Sequence, residues 1–377
     1  MRPKLTAAIA LACAVAFIPA AGAAAPTRTT SGHLATTSTR APAGFFGVAP
    51  QTGLTLEDVR YMKAGGIDSV RLPMVWEAIQ PFPNDGYHWS DFDKEVAMAA
   101  RGRLHVLPST GSTPGWLARK YTTLPVSNAR QRGAWMAFLT AAVERYGPHG
   151  VFWIEHGPGT AEPVPKMPIT AWQIWNEPNF FYFAFPVSPS RYAKTLTLAS
   201  KAIKRADPRA DVVLAGLFGE PTAKGARGMP AAEFLDGVYR APGIKTRFDG
   251  IALHPYAIDA EELAEMAEEM REATIENHDR VPLYITEMGW GSQNDFEHDA
   301  FEQGVRGQVE QLRESYAYLL ENRRRLNLKG TYWYSWKDLD GSCDFCDSVG
   351  LFHAGPRFKP KPAWHAFVAI SGGRARP

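Results

Sequence analysis

Two glutamates each close an apolar run that reads as a β-strand. They are Glu177 in Trp175-Asn176-Glu177-Pro178 and Glu287 in Ile285-Thr286-Glu287-Met288-Gly289-Trp290. A pair of carboxyl groups suits displacement at an anomeric carbon. One protonates the departing glycosidic oxygen, and the other, ionised and roughly 5 to 5.5 Å away, attacks the carbon. For this composition, Trp-Asn-Glu-Pro is expected about 0.001 times by chance in 377 residues, so the tetrapeptide is a specific signal. The bland alternative is a solvated acid in a strand-to-loop turn, since Asn and Pro mark turns. Pro178 predicts an extended backbone at Glu177, aiming its side chain out of the strand end. Asn176 beside it can hydrogen-bond a sugar hydroxyl.

Such a pair must be positioned by a frame. Short apolar runs, each followed by a longer segment with helical spacing, recur eight times, which points to parallel strands joined by helices. The strands read as 45–48, 69–72, 104–108, 171–176, 212–217, 250–254, 283–287 and 331–336. The helices read as one following Thr55 and ending at Gly65-Gly66, then 91–100, 130–146, 189–206, 231–239, 260–277, 300–325 and 361–370. The sum is an α/β fold, a single-domain (β/α)8 TIM barrel. Its folded part, residues 44–370, spaces eight units about 41 residues apart. Glu177 and Glu287 are 110 residues apart, or about 2.7 such units, as expected for the ends of strands four and seven. Those ends lie on the face where barrel active sites are built. An open Rossmann-like sheet competes, but no strand is followed by a Gly-x-Gly-x-x-Gly loop.

Further motifs surround the pair: Val70-Arg71-Leu72-Pro73, Trp76-Glu77-Ala78-Ile79-Gln80-Pro81, Thr113-Pro114-Gly115-Trp116, Arg145-Tyr146-Gly147-Pro148, His254-Pro255-Tyr256 and Tyr334-Ser335-Trp336-Lys337-Asp338. Together they resemble the retaining glycoside hydrolases of the large (β/α)8 superfamily called clan A, family 39 and its cellulase-like (family 5) relatives in particular. The resemblance spans the folded region. It implies Glu177 as acid/base and Glu287 as nucleophile, with Arg71 beside Glu287 favouring its ionised form and Tyr256 donating to the same carboxylate. Larger members often carry an accessory β-sandwich, for which this chain shows no segment, so exo and endo action both stay open.

Each supporting residue also has a structural reading. Arg71 reads either as a surface cation or as a paired one, since an Arg ending an apolar strand is costly unless paired. His254 reads as a core histidine, a zinc ligand, or a hydrogen-bond partner near the acid/base. No His-x-x-x-His spacing supports metal, and no cofactor is called for. Trp336 is expected to stack on a sugar ring at the first subsite, with Trp333 packed inside, and the resemblance implies a strained, cis peptide after Trp336. Trp76, Trp116 and Trp290 follow strand ends and read equally as sugar platforms or packing, Trp116 being carried forward as a substrate contact. Glu77 and Glu220 are lesser candidates.

The N-terminus has Arg2 and Lys4, an apolar run from Leu5 to about Ala20, and small residues at 23–25. That is the pattern of a cleaved secretory signal over 1–25. A membrane anchor is less suited, because Thr6 and Pro19 interrupt a run already short of the roughly 20 residues that span a bilayer. Lipidation at Cys13 is the minor alternative. Residues 26–43 read as a Thr/Ser/Ala-rich tether and 371–377 as a tail. Removing the signal takes two cations from a net charge of +2, leaving zero, which argues against nucleic acid as partner. It leaves Cys343 and Cys346, which in an exported protein read as a disulfide stapling a loop. Nothing demands more than a monomer. The expected partner is an oligo- or polysaccharide. A carbohydrate-binding protein on a degenerate barrel and a thiol-disulfide oxidoreductase are the readings from other classes.

Overall fold

The computed structural model describes residues 41–296, 299–341, 345–355 and 358–377. The expected signal, nearly all of the tether, Cys13 and Cys343 lie outside the described residues. Eight parallel strands close into a barrel in chain order. They are β1 Phe46–Val48, β2 Ser69–Val75, β3 His105–Gly111, β4 Ala171–Asn176, β5 Asp211–Phe218, β6 Gly250–His254, β7 Leu283–Met288 and β8 Leu328–Trp333. Each is followed by a helix, as the alternation required.

β4 and β6 occupy the residues the sequence pattern marks. β8 starts and ends three residues earlier than expected, because Lys329 and Gly330 hide its first half from an apolar count. Its register is fixed by Thr331 opposite both Phe46 and Ile285. The strand therefore ends at Trp333, and the inward-outward alternation does not reach Trp336. The cis peptide in this stretch joins Tyr334 to Ser335, correcting the expected position after Trp336. The helix expected from residue 300 begins at Gly304, since Phe301 and Glu302 belong to the preceding loop.

Local chemistry starts the helices. Thr55 caps Leu56–Ala64 by accepting from Asp58 N while the Asp58 carboxylate accepts from Thr55 N, a reciprocal box that satisfies two otherwise orphaned donors. Asn128, Ser188 and Asp259 cap three more helices through their side chains. Asp58 also accepts from Trp336 Nε1 at 2.6 Å and pairs with Lys337 Nζ at 2.7 Å. This bolts the first helix to the chain beyond β8. Residues 371–377 are tied to the same helix, with Arg374 N donating to Ala64 O at 2.7 Å.

The main core lies between the barrel and its helices, with Val70, Ile174, Leu214 and Leu253 all fully buried. A second cluster of Leu107, Val213, Ala252, Tyr284 and Tyr332 lies apart from it. The Tyr332 ring needs a glycine at 47, where a Cβ would sit 2.4 Å from it. Burying such large apolar side chains contributes about 1.5–3 kcal/mol each. No helix among the described residues is long and apolar enough to cross a membrane.

Candidate active site

Arg71 sits on β2 between Val70 and Leu72 and is only 5% exposed, which would be costly for a lone cation. It is not alone. Nε donates to Gln173 Oε1 at 3.0 Å, Nη2 to Ser109 Oγ at 3.0 Å and Asn176 Oδ1 at 2.6 Å, and Nη1 to Glu287 Oε1. The paired reading of Arg71 is therefore the one the geometry supports. Tyr256 Oη donates to the other oxygen, Glu287 Oε2, at 2.6 Å. Glu287 is thus clamped between a permanent cation and a phenol, its negative charge matched by the guanidinium.

Glu177 lies in different surroundings. Its amide donates to Gly216 O of β5 at 3.0 Å, and its Oε1 lies 2.7 Å from His254 Nδ1. His254 Nε2 in turn lies 3.0 Å from Thr286 Oγ1. Burial pushes the Glu177 carboxyl well above the usual carboxylate range, and the nearby Glu287 charge pushes it further against the pull of Arg71. Burial and the Arg71 charge push His254 well below the usual imidazole value, which favours its neutral form. Both shifts favour the uncharged forms, a protonated acid beside a neutral imidazole, with which a single proton serves the Nδ1–Oε1 contact. Gly216 makes room for that ring, since a Cβ there would lie 2.0 Å from His254 Nε2.

The backbone at the motif departs from expectation. Glu177 has φ +39° and Trp175 φ +76°, both in the left-handed region that non-glycine residues seldom adopt. The extended conformation expected ahead of Pro178 is overridden. Strain of this kind is held where surrounding structure over-determines it, here by the Gly216 hydrogen bond and by Trp175 Nε1 donating to Phe183 O at 2.8 Å.

An oxygen of Glu177, an oxygen of Glu287 and a ring nitrogen of His254 all lie within 4.8 Å of one another. That set has the donor types of a metal site. Each member is already engaged, however, and Arg71 places a fixed positive charge against Glu287, so the arrangement favours handling a proton.

Two hollows meet at the pair. Arg71, Glu77, Ser109, Thr110, Ser112 and Trp175 line the first; Glu177, Phe180, Phe218, Tyr256, Phe301 and Phe345 help line the second. Asn176 and Glu287 belong to both. Arg71 holds Asn176 Oδ1, so the Asn176 amide donors are the ones left to offer.

The structure does not bring every expected residue here. Trp336 is fully buried among Phe352 and Trp364 with its Nε1 on Asp58, so it offers no face to a ligand. Tyr334, two residues earlier, lines the second hollow. Trp116 is half-buried beneath Arg130, donates to Gln80 O at 2.9 Å, and lines neither hollow. Trp76 and Trp290 are fully buried packing residues. Ser109, Gln173, Thr286 and Tyr334 were missed. The signal for Gln173 was a polar residue inside the apolar run of β4, two positions before Trp175.

The wall of the second hollow rests on a buried carboxyl. Glu302 Oε1 accepts from Ser348 Oγ and Oε2 from Gln293 N at 2.6 Å, joining the loops after β7 and β8. Burial pushes Glu302 up to about 7. Its folded pKa exceeds its unfolded one, so the stability it contributes is full below about pH 4.5 and is lost as pH rises towards 7. Glu302→Gln should therefore shrink the fall in Tm between pH 5 and 8 by an amount equivalent to on the order of 1 kcal/mol. An unchanged pH dependence in thermal melts would refute the assignment. Cys346, on the same wall, is buried; its expected partner Cys343 lies outside the described residues.

A closed parallel barrel thus carries two glutamates at the ends of β4 and β7. The family model of glycoside hydrolase family 42, described as beta-galactosidase, matches residues 50–141. Among solved structures, the chain is similar to a family 39 glycoside hydrolase from the gut symbiont Bacteroides cellulosilyticus WH2. The TM-score is 0.61 at 17% identity, over 86% of this chain and 63% of that one. It is also similar to a monomeric beta-xylosidase from Caulobacter crescentus CB15, with TM-score 0.60, 16% identity and 89% and 69% coverage. A beta-glucosidase from Exiguobacterium marinum gives TM-score 0.57 at 12% identity, with 84% and 86% coverage. The chain thus spans less than two thirds of the family 39 enzyme's length. No curated protein sequence matches it. At these identities the likeness is one of fold, in line with the clan A resemblance of the motifs.

Proposed function

We propose that the protein is a retaining β-glycosidase that hydrolyses an O-glycosidic bond by double displacement, with Glu177 as acid/base and Glu287 as nucleophile. The observation that carries this is the carboxyl pair, with oxygens within 4.8 Å and opposite surroundings. That approach fits direct attack by one carboxylate and leaves too little room for the water an inverting enzyme places between its acids. Glu177 gives its proton to the leaving oxygen while Glu287 forms the glycosyl ester. Water then attacks the ester, with Glu177 taking the water's proton. Arg71, Tyr256 and Asn176 position the nucleophile and the sugar, and His254 positions the acid.

The test is the anomer first released from an aryl β-glycoside, followed by proton NMR. A β-anomer supports retention and an α-anomer rejects it. A panel of aryl β-glycosides with different sugars would identify the glycone, and binding without turnover would favour the carbohydrate-binding alternative. Arg71→Lys, which replaces a four-partner fork by a point charge, should lower kcat/KM about 10²-fold. Wild-type kinetics in that variant would contradict the positioning role of Arg71.

Export and a Cys343–Cys346 disulfide belong to the same proposal, supported by the N-terminal pattern and the even cysteine count that would remain. Intact mass of the secreted chain, with and without reduction, checks both.

A further inference from the structure

We infer that the leaving group this site accepts is an apolar aryl or alkyl alcohol rather than a second sugar unit. The inference rests on the glycosidase reading above. Glu177 must stand within hydrogen-bond reach of the departing oxygen, and of the two hollows only the second is lined by Glu177. The leaving group therefore occupies the second hollow and the transferred sugar the first.

The first hollow presents Arg71, Glu77, Ser109 and Ser112, groups that can pair with ring hydroxyls, beside apolar side chains such as Met74 and Trp175. The second, about 660 Å³ with its open mouth, is walled by aromatic rings. Phe180 stacks on Phe218 at 5.1 Å, Phe218 meets Tyr256 at 5.8 Å, and Phe345 meets Tyr256 edge-on at 5.5 Å and Tyr334 in parallel at 6.1 Å. The two phenols of that wall are already engaged, Tyr256 with Glu287 at 2.6 Å and Tyr334 with Cys346 Sγ at 3.5 Å. Among the described residues, and apart from Asn176, Glu177, Glu287, the two phenols and Cys346, the polar side chains lining this hollow are Gln51 and Asp299. A sugar unit placed there would have several hydroxyls to desolvate against phenylalanine, and unpaired hydroxyls are costly. An aryl or alkyl group would instead exchange water for ring contacts.

The experiment holds the sugar constant, using the glycone best accepted in the aryl panel, and compares three β-glycosides: methyl, 2-phenylethyl and a disaccharide. All three leaving groups are alcohols, so acid assistance by Glu177 serves each of them. Wild-type kcat/KM should be about tenfold higher for the 2-phenylethyl glycoside than for the other two. Phe218→Ala should lower the 2-phenylethyl to methyl ratio about tenfold. A disaccharide cleaved as efficiently as the 2-phenylethyl glycoside by the wild-type enzyme, which needs no variant to fold, would overturn the inference. Equal losses on both substrates in Phe218→Ala would do the same. If Glu287→Gln keeps wild-type turnover of all three, the glycosidase reading itself falls, and this inference with it.

Discussion

Glu287→Ala is expected to lower kcat on an aryl β-glycoside by at least about 10⁴-fold, since under the proposed mechanism it removes the atom that would form the covalent intermediate. The loss should be as large on activated leaving groups as on poor ones, because the nucleophile is needed whatever departs. The same substitution leaves Arg71 buried without its anionic partner, although Gln173, Ser109 and Asn176 still accept from it. Breaking a buried pair costs roughly 3–5 kcal/mol. Glu287→Gln keeps an oxygen for Arg71 and should be closer to wild type in stability while equally inactive. Turnover near wild type in either variant, measured with pure protein, would remove Glu287 from the mechanism.

Glu177→Ala is expected to behave differently. With an alkyl leaving group, kcat should fall about 10²- to 10⁴-fold, the range of general acid catalysis. With a leaving group that departs without help, the first step should survive and the second become limiting. Azide, small enough for the space vacated, should then restore turnover and yield the β-glycosyl azide; absence of rescue at any azide concentration would count against the acid/base role. The pH profile gives an independent check. The raised pKa keeps Glu177 protonated beyond the ordinary carboxylate range, so wild-type kcat/KM is retained there and falls as pH climbs through that raised value. This alkaline limb should disappear in Glu177→Ala. Once Glu287 is esterified its charge no longer raises Glu177, and the acid becomes the better base that the second step requires.

Much of this was legible from the chain because it rests on local chemistry. The eight-fold alternation, the Thr55 cap and the spacing of the two glutamates are each written in a few adjacent residues. The partners of Arg71 are not. Gln173 lies 102 residues from it and Glu287 216 residues away, and only barrel closure brings them together. Trp336 failed as a sugar platform because alternation holds only while the strand lasts, and β8 ends at Trp333. The extended backbone expected at Glu177 failed for the opposite reason. A local preference set by Pro178 lost to a hydrogen bond that the Glu177 amide donates to the next strand. The phenylalanine wall was illegible because its members come from the ends or following loops of β4, β5, β7 and β8, none of which is unusual alone.

That hydrogen bond has a consequence for how such an enzyme can diversify. Glu177 is fixed by Gly216 O on β5 and by the imidazole of His254 on β6, and Glu287 by Arg71 on β2. Among the described residues, of the contacts that aim the glutamates only the one from Tyr256 to Glu287 comes from beyond a strand, two residues past β6. Phe180, Phe183, Phe301 and Phe345, in contrast, all lie beyond the strands. Selection can exchange those rings and change what the hollow accepts, while the carboxyl pair stays in register. Chemistry and choice of substrate are inherited here on separate parts of the chain.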